Sequence, residues 1–174
     1  MIITGSIFSI VCLAILVIQD FRFRKISPVF MFLIPLSFCP LLLSYIEIEV
    51  WVSQTIRNLG FVCLILTFLS IYSQIRFGSF LGFIDKALGK GDILFFLVLC
   101  FLFSFSNFIL FFLFSLIVSL LGFCIWALIS RISLATAGFP LVSGMGFCLL
   151  VLLGVRLSIG LDFFYSSIIP ESVF

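Results

Sequence analysis

From Ile93 to Ile129 the chain runs for 37 residues without a charged side chain. An apolar layer about 30 Å thick is crossed by about 20 helical residues, so this run is too long for one helix and about right for two. The plausible break is Ser104-Phe105-Ser106-Asn107. Similar apolar runs fill most of the 174 residues, of which 64% are hydrophobic and 9% charged. A soluble domain carries roughly a quarter charged residues, so these cannot clothe a globule of this size in water. A water-soluble enzyme, a nucleic-acid binder and a disordered tail are excluded together. The expectation is an all-α polytopic membrane protein, one integral domain over 1–174 with about six transmembrane helices.

The spans fall at about 2–19, 29–46, 59–75, 93–105, 108–129 and 138–155. The first lacks the basic start and small-residue cleavage site of a signal peptide, and is taken as a helix that stays. It stops at Gln19-Asp20-Phe21-Arg22-Phe23-Arg24-Lys25, ahead of Ser27-Pro28. Pro35 and Pro40 lie inside the second span, where neighbouring helices satisfy the freed carbonyls. Glu47, Glu49 and Arg57 mark the next turn, and Phe163, Phe164 and Tyr165 suit a membrane interface. Of the nine basic residues, Arg22, Arg24, Lys25, Arg76, Lys86, Lys90 and Arg131 follow spans one, three and five. The positive-inside rule therefore puts those turns in the cytoplasm and both chain ends outside.

With no histidine, the chain cannot build a Ser-His-Asp triad, a Cys-His dyad or a zinc-peptidase helix. Cys12, Cys39, Cys63, Cys100, Cys124 and Cys148 lie singly in apolar runs with no CxxC pair, so they are packing residues, and neither metal nor cofactor is expected. Chemistry is left to carboxylates, Lys, Tyr, Ser or Cys. Of the seven acidic residues, Glu47, Glu49, Asp162 and Glu171 fall on the outer side, whereas Asp20, Asp85 and Asp92 fall on the cytoplasmic side.

Asp20 ends the first span and Asp92 begins the fourth, which places two carboxylates at one depth. Like charges held close in a poorly hydrated site cannot both ionise, so one donates to a substrate carbonyl while the other takes a proton from water. Asp92 closes the string Gly89-Lys90-Gly91-Asp92, where glycine permits positive φ and close approach of a second chain. Equally, Asp92 caps helix four, and Asp20 is an ion-pair partner for Arg22, Arg24 and Lys25. A fourth helix ending near Ser104 has about 13 residues and spans about 20 Å, which draws Asp92 below the surface or thins the bilayer. Asp85 sits on a segment with apolar positions 80, 81, 84, 87 and 88, a short helix on the membrane surface that borders the site.

An aspartate ending helix one before a basic turn and Ile26-Ser27-Pro28, with Gly-x-Gly-Asp opening helix four, resembles the type IV prepilin peptidase family, which includes the preflagellin peptidases. Ala137-Gly138-Phe139-Pro140-Leu141-Val142-Ser143-Gly144 is similar to that family's Pro-Phe-Gly-Pro-Phe-Leu-x-x-Gly stretch. The resemblance implies catalytic aspartates at Asp20 and Asp92, motif backbone at Gly89, Lys90 and Gly91, and a site border near Asp85, Pro140 and Gly144. It implies an intramembrane aspartic endopeptidase of a prokaryotic plasma membrane, whose partners are the lipid bilayer and a prepilin-like or preflagellin-like precursor cut at its cytoplasmic leader. Without paired CxxC motifs, methylation of the new amino terminus is not expected. Leu94 stands where the family usually has Lys, and Ser27 displaces the expected proline to Pro28. The sequence also fits a non-catalytic membrane subunit or small carrier that uses the two aspartates as a polar path or partner contact. A presenilin-like protease fits less well, because Gln19 precedes the first aspartate and six spans are too few.

Overall fold

The computed structural model describes residues 2–23, 28–43, 46–77, 89–130, 141–159 and 164. These form six helices and no strand: α1 (Ile2–Phe23), α2 (Pro28–Leu43), α3 (Ile48–Phe77), α4 (Lys90–Leu102), α5 (Phe105–Ser130) and α6 (Leu141–Ile159). Stretches of α3, α5 and α6 are long and apolar enough to cross a membrane. The outer surface is apolar along its length, with Ile18, Phe32, Leu36, Phe68, Leu128 and Ile129 all exposed. Buried polar residues lie inside, among them Ser9, Gln54, Asn58, Ser115, Ser119 and Ser143. This distribution suits a hydrocarbon solvent, where exposed apolar surface costs nothing and polar groups must find partners within the protein. The chain is an all-α membrane protein.

α1 packs between α2 and α6, α5 packs on α6, and α4 touches α2, α3 and α6. From Gly91 to Leu102 no residue of α4 is exposed. Phe95, Leu99, Cys100 and Leu102 are fully enclosed. Its 13 residues span about 20 Å. Because its neighbours rather than lipid surround it, this short helix has no need of a thinned bilayer around it.

The chain breaks at Phe103-Ser104, between α4 and α5. Helix ends leave unpaired carbonyls and amides, which inside an apolar layer must be satisfied by protein. α3 does this. Asn58 Nδ2 donates to the carbonyls of Cys100 (3.0 Å) and Phe103 (2.8 Å). Trp51 Nε1 donates to Phe101 O at 3.0 Å, and Gln54 Oε1 accepts from Phe105 N–H at 3.0 Å. Ser104 N–H reaches Phe164 O at 2.8 Å, and Phe108 N–H starts α5 on Ser104 O at 2.8 Å.

Two expectations are corrected here. The third helix begins at Ile48 rather than near residue 59, so Glu49 and Arg57 lie on the helix instead of marking a turn. Trp51, Gln54, Thr55 and Asn58 recur at i, i+3, i+4 and i+7, one face of that helix. Phe164 is not exposed to a membrane interface: its ring is buried, stacked on Phe103 at 4.8 Å and against Phe38 at 5.6 Å. Phe163 and Tyr165 lie outside the described residues, as does the surface helix expected at 80–88.

Asn58 is wholly buried, and Asn58→Leu strips the donor from two buried carbonyls. Each orphaned group costs about 1–3 kcal/mol. Thermal unfolding in detergent should show a clear drop for this variant, whereas Arg57→Ala at the exposed neighbouring position should change stability by less than about 0.5 kcal/mol.

Candidate functional site

Asp20 lies in the last turn of α1 and is 7% exposed. Its Oδ2 accepts two hydrogen bonds from Ser143, one from the backbone N–H at 2.7 Å and one from the hydroxyl at 2.6 Å. Ser143 is the third residue of α6, so its N–H has no partner within its own helix. Asp20 therefore caps α6 from a neighbouring helix and sits at the partial positive charge of that helix's dipole. Ala at 143 would keep the amide donor and lose the hydroxyl.

Close helix approach makes this cap possible. A Cβ at Gly146 would lie 2.7 Å from Val17 Cγ2 on α1, and one at Gly144 would lie 1.9 Å from Ser119 Oγ and 3.0 Å from Ser119 Cα on α5. Small residues at both points let α6 seat against α1 and α5, as small residues do between helices in lipid.

Asp92 is the third residue of α4 and is half-buried. Its Oδ2 accepts the Gly89 N–H at 2.8 Å, while its own N–H donates to Gly89 O at 3.0 Å. Gly89 is thus the N-cap residue, and Asp92 closes the reciprocal bond from inside the first turn. Gly89 has φ −71° and ψ 151°, an extended conformation open to any residue, so the expected positive φ is not found there. A Cβ at 89 would press to 3.3 Å from Asp92 Oδ2, so the Asp92 carboxylate would have to give by a few tenths of an ångström to admit a larger residue. Lys90 and Gly91 form the first residues of α4.

Asp20 and Asp92 lie on the same side of the helical assembly. A Cβ at Gly146 of α6 would lie 2.7 Å from Val17, about one turn before Asp20, and 4.0 Å from Phe95, about one turn after Asp92, so the C-terminal part of α1 and the N-terminal parts of α4 and α6 converge at one end of the helices. Glu47 and Glu49 are exposed and have no part in this meeting point. Asp85 and Pro140 lie outside the described residues. Ser143 was missed as a contributor. A serine in the first turn of a helix is a usable signal, since such residues cluster where backbone donors are unpaired, but which acid it meets is a tertiary fact. Among the described residues no group of three or more His, Cys, Asp or Glu side chains converges to hold a metal ion.

The chain matches no family model, no curated protein and no solved structure.

Two glycines on facing helices separate packing from propensity. Gly144→Val forces α6 off Ser119 and should destabilise by about 1–3 kcal/mol or more. A Cβ at Gly122 meets nothing within 4 Å, so Gly122→Ala should be neutral or stabilise by up to about 1 kcal/mol. Thermal unfolding of both variants in one detergent checks the contrast.

Proposed function

We propose that this protein is an intramembrane aspartic endopeptidase that removes the short cytoplasmic leader from type IV prepilin-like precursors. The observation that carries the proposal is the placement of Asp20 and Asp92, two carboxylates from separate helices that converge at one end of the assembly, each anchored at the positive end of a helix. Two acids so placed have what water-mediated peptide hydrolysis requires. One, protonated, donates to the scissile carbonyl, while the other, ionised, takes a proton from the water that attacks the carbonyl carbon. The acids then exchange roles as the tetrahedral intermediate collapses and the leaving amine is protonated. No histidine, thiolate or metal enters these steps.

The positive-inside distribution of the sequence favours the cytoplasmic side for the aspartate end, where a leader preceding a hydrophobic segment would present itself, and the resemblance implies a prokaryotic plasma membrane. The motifs around Asp20, Asp92 and Gly144 add the resemblance to prepilin and preflagellin peptidases. Ser143 acts as a positioning residue, holding one oxygen of Asp20 so that the other is directed by the helix pair. Methyl transfer is not part of the proposed activity.

A second reading draws on the same bonds. Both carboxylates already cap helices, which is enough work for a non-catalytic subunit or small carrier. Asparagine separates the two, because it keeps an acceptor for the cap and loses the acid-base chemistry. In cells expressing this chain with a prepilin-like precursor, Asp20→Asn and Asp92→Asn should each abolish the leader-dependent gel shift while the protein still accumulates in the membrane. Ser143→Ala should slow processing about tenfold, the equivalent of roughly 1.4 kcal/mol of lost positioning. Processing that persists in either asparagine variant refutes the dyad.

A further inference from the structure

Next to Asp20 lies a cavity of about 220 Å³, lined by Phe21, Ser119, Gly122, Phe123, Trp126, Ser143 and Gly144. It adjoins the Asp20 side of the site through two residues. Ser143 walls it and also donates both hydrogen bonds to Asp20, and Phe21 is the residue after Asp20. We propose that this cavity is the specificity pocket for one bulky apolar side chain of the peptide held at Asp20 and Asp92, a proposal that rests on the peptidase reading for the identity of its occupant.

Size argues for a single side chain. Pockets that take whole drug-sized ligands measure roughly 300–1,000 Å³, so this one is too small for such a molecule. Its walls argue for an apolar occupant. The Trp126 ring meets Phe21 edge-on at 6.5 Å between centroids and lies over Phe123 at 6.1 Å. Gly122 and Gly144 contribute no side chain, and the space in front of Gly122 is open to a full 4 Å. A ring or branched aliphatic chain entering there gains aromatic contact on one side and backbone contact on the other. Two serines share the lining, and the Ser143 hydroxyl is already committed to Asp20. Ser119 is 6% exposed, and its hydroxyl, packed against Gly144, has no hydrogen-bond partner among the described residues.

Trp126 reports on its own pocket. The purified full-length protein in detergent is titrated with N-acetyl-Ala-Ala-Xaa-Ala-Ala-amide, where Xaa is Phe, Leu, Ala or Glu, and tryptophan emission is followed. The Phe and Leu peptides should shift emission at concentrations at least tenfold lower than the Ala and Glu peptides, and Trp126→Phe should remove the shift. Gly122→Leu fills the pocket from a position without steric conflict, so it should fold and lose the preference. Equal responses to all four peptides overturn the proposal, as does a preference unchanged by Gly122→Leu. Quenching of Trp126 by lipids brominated on their acyl chains, undisturbed by the Phe peptide, also overturns it and makes the cavity a lipid groove. Binding is read without cleavage, so the two proposals fail separately. If no precursor is ever processed yet the peptide preference holds, the pocket stands and the peptidase falls. If precursors are processed but Gly122→Leu leaves the preference intact, the reverse is true.

Discussion

A backbone that stops being helical inside a hydrocarbon layer leaves amides and carbonyls that the surroundings cannot satisfy. The break at Phe103-Ser104 is such a place, and the rest of the architecture depends on how α3 resolves it. Trp51, Gln54 and Asn58, one face of α3, supply donors and an acceptor to both sides of the break. With those bonds made, α4 can end after 13 residues and α5 can start in a new direction. A short α4 packed among α2, α3 and α6 has its first turn at the end of the assembly, only partly covered by its neighbours. Asp92 is in that turn.

The second consequence concerns the other aspartate. A carboxylate at the C-terminal end of its own helix faces the unfavourable end of that dipole. Asp20 is in that position on α1, and the N-terminus of α6 offsets it by presenting the Ser143 amide and hydroxyl. Glycine at 146 lets α6 seat closely on α1 and glycine at 144 lets it seat closely on α5, so the orientation of one acid depends on the closeness of three helices. Helix packing and site geometry are the same set of contacts.

Much of the fold was legible in the pattern of charges, and the reasons for the misses are specific. Long charge-free runs marked the helices, and a polar interruption marked the α4–α5 break to within a residue or two. Hydropathy failed at the start of α3 because it averages over a window, and Glu49, Gln54, Asn58 and Arg57 lower that average although Gln54 and Asn58 point inward to do structural work. Phe164 was misjudged for a related reason: composition says that an aromatic residue suits an interface, whereas only the folded chain supplies Phe38 and Phe103 for it to stack on. That Asp20 and Asp92 stand at helix ends follows from sequence. That Ser143 grips Asp20 does not, because a cap supplied from another helix leaves no local pattern.

The two carboxylates are held by different kinds of bond, and this asymmetry bears on what the site can do. Asp92 is fixed by Gly89 three residues away, so its place is set by the first turn of α4 and survives small movements of neighbouring helices. Asp20 is fixed by Ser143 across a helix interface, and any shift of α6 relative to α1 carries its partner away. The separation of the acids is consequently governed by the seating of α6, and the same seating shapes the cavity that Ser143 and Gly144 line. A side chain that fills that cavity packs against α5, α6 and Phe21 at once. The Ser143 that lines this cavity is also the residue that donates to Asp20, so the wall of the cavity and the cap on Asp20 are built from one side chain.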